Sequence, residues 1–145
     1  MHLNELPSNL AVLDSGAFIR SGDNVIITVL PPHLTVLSDW SLSRCAGVNI
    51  SVFGSENAGE GLTTISAGAL YDSGPKVTAI ELKQSITTLA SEINSSDYAA
   101  FKNYAPNLST FTSVKSASEI KDLKGNTLTT FADAGVPAVT IVEAL

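Results

Sequence analysis

The sequence predicts an α+β fold in a single domain spanning 1–145, with strands gathered in the first half and helices in the second. Three observations predict it. Val25–Leu30 is a run of β-branched and apolar residues, the most strand-prone stretch in the chain. Val48–Phe53 alternates apolar and polar side chains at period two. From Val77 to Ile93, by contrast, Leu82, Ile86, Leu89, Ala90 and Ile93 recur at helical intervals. An α/β sandwich is the alternative class. It is suggested by two short helix–Gly–strand joins, Ala46-Gly47-Val48 and Ala134-Gly135-Val136.

Taken in order, residues 1–9 read as an extended arm, because Pro7 and Ser8 suit neither helix nor strand interior. A hairpin is expected near 16–30. Gly16–Arg20 would form one strand, Val25–Leu30 the other, and Ser21-Gly22-Asp23-Asn24 the turn between them. Pro31-Pro32 ends it, since neither residue can donate to a ladder. A strand over 48–53 follows, and Gly54–Gly61 reads as a flexible acidic loop. The principal helix is expected over 78–94. Thr78 and Glu81 have capping-box spacing, and Val77 with Leu82 has that of a hydrophobic staple. Ile80 alone falls outside its apolar stripe. A second helix is expected over 97–104, carrying Tyr98, Phe101 and Tyr104 and stopped before Pro106. A third, over 117–124, opens on the capping box of Ser116 and Glu119 and closes at Gly125. A strand over 138–142 completes the chain.

Composition excludes several classes of function. The chain carries a net charge of −6 with its few Lys and Arg scattered singly, so it has no basic face to displace counterions from nucleic acid or to meet an anionic membrane. No apolar run reaches the ~20 residues of a membrane-spanning helix, and the first residues lack the basic and apolar regions of a signal peptide. Charged residues are only 15% of the chain, against about 25% in an average soluble domain. Ser, Thr and Ala take their place. Such a surface needs few ions stripped of water when subunits meet, which favours assembly. The single Cys45 excludes an internal disulfide.

The residues that carry catalytic chemistry are sparse. Two histidines and one cysteine are too few for a zinc site of three or four converging ligands. His33 and Cys45 lack the local signature of a nucleophile–base pair, and no Gly-x-Ser-x-Gly elbow is present. The Gly54–Gly61 loop has three glycines, as phosphate loops do, but it carries Glu56 and Glu60 where such loops carry Lys and Ser/Thr. Catalytic, cofactor and metal residues are therefore not expected. The interface candidates are Trp40, Tyr98 and Tyr104, as large rigid side chains, and Glu56 and Glu60, as contacts for a basic partner.

These readings predict a non-enzymatic structural or interaction protein that acts by assembly with other protein subunits and contacts neither nucleic acid nor membrane. A virion capsid-decorating or other capsid-associated subunit, made in the cytoplasm, is one protein of that kind. The alternative is a small α/β enzyme or ligand-binding domain with a pocket near the 31–33 and 54–61 loops. A third possibility is one subunit of a heteromeric enzyme whose chemistry lies on its partner.

Overall fold

A computed structural model of the chain describes residues 6–22, 25–57, 59–92, 98–137 and 139–143. It is a parallel β-solenoid. Among the described residues eight short strands stack in two sheets: β1 (Val12–Leu13), β2 (Val36–Leu37), β4 (Thr64–Ile65) and β6 (Thr88–Leu89) in one, and β3 (Val52–Phe53), β5 (Ala79–Leu82), β7 (Thr110–Ser113) and β8 (Thr140–Glu143) in the other. Every strand pairing is parallel. The chain therefore winds through successive rungs; the middle three contribute one strand to each sheet, while the first meets the second sheet, and the last the first sheet, among the described residues only through the isolated bridges of Ile27 and Lys121. The rungs begin at β1, β2, β4 and β6, and a fifth begins at Lys121, which bridges to Thr88.

A third side of the coil is built from turns. Gly16, Phe18 and Arg20 donate their N–H groups to the carbonyls of Asp39, Ser41 and Ser43 in the next rung. Trp40, Leu42 and Arg44 donate in the same way to Ala67, Ala69 and Tyr71. Backbone groups that a helix would satisfy within itself are thus satisfied between rungs.

The side chains explain why the chain coils. Leu13, Leu37, Ile65 and Leu89 stack inward beneath the first sheet, and the last three have no exposed surface. Ile80 and Phe111 pair beneath the second sheet, as do Phe53 and Leu82. Outside the first sheet lies a column of Thr35, Thr63 and Thr87. Each hydroxyl donates to a carbonyl one rung before, at separations of 24, 28 and 24 residues. Stacked threonines suit an extended, half-exposed backbone. Aromatic rings also fill the core. Phe53 and Phe101 lie 5.4 Å apart, Phe101 and Phe111 5.9 Å, and Phe111 and Phe131 4.9 Å.

This architecture overturns the α+β expectation and its α/β sandwich alternative. The described part of the 78–94 segment forms strands β5 and β6 with a corner between them; residues 93 and 94 lie outside the described residues. Val77, Ile80, Leu82, Ile86, Leu89 and Ala90 are all buried, but through strand, corner, strand and not along one helical stripe. Ile80, the residue that missed the stripe, alternates with Leu82 and faces the core. The Thr78 carbonyl accepts N–H bonds from Ser109 and Thr110 of the next rung, so Thr78 caps nothing. The segment expected as a helix over 97–104 is a turn at Ala100–Asn103, with residue 97 outside the described residues.

The 117–124 expectation shrinks to a single 3-10 turn, Ala117–Glu119. The Ser116–Glu119 capping box is present, with Glu119 accepting the Ser116 N–H at 3.1 Å, but Ile120 already returns to extended backbone. The hairpin near 16–30 is absent among the described residues. Ile27 bridges in parallel to Val48, not back to Gly16–Arg20, and the expected turn residues 23 and 24 lie outside the described residues. The strand expected over 48–53 is confined to the Val48 bridge and β3. The final strand is β8, and residue 138 lies outside the described residues. Phe131–Ala134 is a 3-10 turn closed by Gly135 in the left-handed conformation. No helix among the described residues is long and apolar enough to cross a membrane.

Leu89 belongs to the inward stack and has no exposed surface, so Leu89→Ala should cost ~2–5 kcal/mol, the usual range for a fully buried leucine. Urea unfolding of the two chains measures it. A loss below about half a kcal/mol would show that this side chain is not in the core.

Candidate interaction surfaces

The turn face gathers Trp40 and Tyr98 from distant parts of the sequence and adds Tyr71 between them. Their ring centroids lie 5.0 Å (Trp40–Tyr98), 5.1 Å (Tyr71–Tyr98) and 5.9 Å (Trp40–Tyr71) apart, with the planes steeply tilted to one another. Edge-to-face geometry of this kind adds to the apolar contact. All three rings are half-buried. Lys102 closes one side, its ammonium 4.4 Å from the centre of the Tyr98 ring and 2.9 Å from the Glu92 carboxylate. The Glu92 hydrogen bond raises the Lys102 ammonium above its ordinary value, keeping the cation over the ring charged.

The backbone beneath the cluster is specialised. Trp40 has φ of 60°, unusual for a side chain of its size. Its indole lies flat over Gly68, where a Cβ would come within 2.6 Å of the ring, and Gly68 itself has φ of 61°. Gly68 is therefore required twice, by its conformation and by the indole.

The remaining sequence candidates fall elsewhere. Tyr104 is buried with 2% exposure and is no interface residue. Its hydroxyl sits inside the coil, accepts the Ile50 N–H at 2.7 Å and donates to the Ile50 carbonyl at 2.6 Å. Burial pushes this phenol's pKa well above the ordinary value, although the Ile50 bond acts the other way. Glu56 and Glu60 stay on the 54–61 loop, away from the aromatic cluster. Glu56 approaches Lys83 at 3.7 Å, and Glu60 accepts from the Asn57 amide at 3.3 Å. Lys83 bonds Glu81 more closely, at 2.7 Å.

Beside this loop runs a groove of about 450 Å³ with Pro31, Pro32, Val29, Val52, Glu56 and Glu60 among its walls. His33 is exposed and does not line it. A hollow of about 520 Å³ lies across the molecule near Asp72, Asn103 and Pro137. Its buried hydroxyls are already engaged, Ser73 with the Leu42 carbonyl and Cys45 N–H, and Tyr104 with Ile50. Cys45 is buried and its thiol donates to the Phe18 carbonyl at 2.9 Å. Burial raises the thiol's pKa, which disfavours the nucleophilic thiolate. Among the described residues no cluster of His, Cys, Asp and Glu could hold a metal ion.

The chain matches no protein-family model, no curated protein and no solved structure.

Tyr71 escaped the sequence reading because its partners are each one rung away, Trp40 before it and Tyr98 after it, and such separations give no short-range periodic signal. Tyr104→Phe removes one oxygen atom and leaves two buried backbone groups of Ile50 unpaired. The expected loss is about 1–3 kcal/mol for each group so orphaned. Chemical denaturation measures it, and a Tyr104→Phe chain as stable as the parent would show that water reaches Ile50.

Proposed function

We propose that the protein is a non-enzymatic interaction module that works by assembling with other protein subunits. The observation that carries this reading is the Trp40–Tyr71–Tyr98 cluster, three half-buried aromatic rings collected on one face by a rigid coil. Rings of this kind are the usual anchors of protein interfaces, because they bury large area while losing little side-chain freedom. The scaffold agrees with the proposal. A solenoid presents long, flat, regular sides, and those sides here are rich in Thr and Ser and poor in charge. Exposed apolar side chains also stand at its edges, with Val12 51% exposed at β1 and Val142 49% exposed at β8. A capsid-decorating or other capsid-associated subunit remains one concrete form of this proposal, suggested by size, acidity and low charge density.

Sedimentation velocity over a range of concentration and salt tests the reading. The net charge of −6 makes identical chains repel. Self-assembly should therefore tighten as the Debye length falls from ~30 Å at 0.01 M salt to ~8 Å at 0.15 M. Trp40→Ala combined with Tyr98→Ala should weaken association at least about tenfold, the loss of one modest anchor. A chain that stays monomeric at every salt and concentration contradicts assembly with itself. A double variant that assembles as the parent does moves the interface off the aromatic cluster.

A further inference from the structure

The groove between the first two rungs marks a place where the ladder fails. Ile27 and Val48 are joined by a parallel bridge, Ile27 donating to the Gly47 carbonyl and accepting from the Asn49 N–H. Beyond it, among the described residues, no backbone hydrogen bond joins Thr28–Leu30 to Ser51–Phe53. Two features of the sequence cause this. Pro31 and Pro32 have no N–H to give, so the first rung cannot extend a ladder beyond Leu30. The second rung also changes phase. Its bonds to the third rung come from the Val48 carbonyl and then from the Ser51 carbonyl, an odd interval where a regular strand requires an even one. The slip falls at Ile50, whose N–H and C=O are both taken by the Tyr104 hydroxyl.

After the slip, Ser51 and Phe53 offer their carbonyls to Glu81 and Lys83 of β5. Alternation in a parallel ladder then turns the Val52 N–H and C=O the other way, into the groove. β3 is accordingly an edge strand of its sheet, and the groove lies along that edge. Val52 is 46% exposed and Val29, across from it, 74% exposed. An edge with free main-chain groups and flanking apolar side chains is a template for another extended chain. The charges near it are unbalanced. Glu56 and Glu60 line the groove, and among the described residues one ammonium, that of Lys83, faces them; it bonds Glu81 at 2.7 Å and lies 3.7 Å from Glu56.

We propose that this groove binds an extended peptide segment of a partner protein, which adds a strand to the β3 edge, seats apolar side chains against Val29 and Val52, and presents lysine or arginine to Glu56 and Glu60. This surface is separate from the aromatic cluster, so either proposal can fail without the other.

The test uses the whole chain and a fluorescein-labelled peptide, Thr-Val-Lys-Val-Thr-Val-Lys, read by fluorescence anisotropy. Two companions carry either glutamate in place of both lysines or N-methyl groups on two consecutive central residues, one of which must face the edge. The lysine peptide should bind saturably, and both companions should bind at least tenfold more weakly. Bound peptide should slow hydrogen exchange of the Val52 amide. Glu56→Lys with Glu60→Lys, both on the exposed loop, should reverse the preference towards the glutamate peptide. Trp40→Ala should leave peptide binding unchanged. Failure of the lysine peptide to bind at millimolar concentration overturns the proposal. So does binding indifferent to N-methylation, or binding that leaves Val52 exchange unaltered. Occupation of the same edge by a second copy of the chain, seen as Val52 protection that rises with protein concentration without peptide, would also overturn it.

Discussion

Each rung of this solenoid is incomplete without the next. Strands of two to four residues cannot satisfy their backbone groups locally, and the turns on the third side are no better placed. Their N–H and C=O groups find partners one rung away, from Gly16 with Asp39 to Thr140 with Ser109. That single constraint sets the rest. It fixes which residues stack, so that Leu13, Leu37, Ile65 and Leu89 form one inward column. It brings Trp40, Tyr71 and Tyr98 to one face although they lie far apart in the chain. Where the constraint lapses, between Thr28–Leu30 and Ser51–Phe53, it leaves a groove and a free strand edge.

Tyr104 shows how a local irregularity is accommodated. Ile50 sits at a phase change and has neither neighbouring rung to bond its backbone. A phenol reaching through the coil from the fourth rung supplies both a donor and an acceptor. An unpaired peptide group here would cost more than most single side-chain contacts contribute. The bulk that carries this hydroxyl also fixes its surroundings. Gly74 lies against the Tyr104 ring, where a Cβ would come within 2.5 Å, and has φ of 73°.

Little of the strand content was legible, and its organisation was not: β3 and β8 fall in stretches that read as strand, whereas β5 and β6 read as helix. Val48-Asn49-Ile50-Ser51-Val52 alternates in the sequence, but the slip at Ile50 turns Val52 outward and Phe53 inward, and the Ser116–Glu119 capping box is real though it opens only a 3-10 turn. The segment from Val77 to Leu89 misled because a strand, a corner and a second strand space their buried residues much as a helix does. Period-two burial at Ile80 and Leu82 was the contrary signal. The repeat was visible in principle as Thr35-Val36-Leu37-Ser38, Thr63-Thr64-Ile65-Ser66 and Thr87-Thr88-Leu89-Ala90. Its unequal intervals of 24 and 28 residues, set by loops of different length, hide it from a search at fixed period. For the surfaces, residue type was informative and burial was not. Trp40 and Tyr98 are half-exposed, whereas Tyr104, of the same type, is interior because Ile50 needs its hydroxyl.

The parallel stacking of rungs is the claim on which both surfaces rest, and solution NMR tests it most directly. Inter-strand nuclear Overhauser contacts should connect Val36 with Thr64 and Thr64 with Thr88 across the first sheet, and Glu81 with Thr112 across the second. Residues 78–92 should show strong sequential Hα-to-amide contacts through the strands. A continuous run of contacts between residues three and four apart over that segment, with the cross-rung contacts missing, would restore the helix and contradict the solenoid.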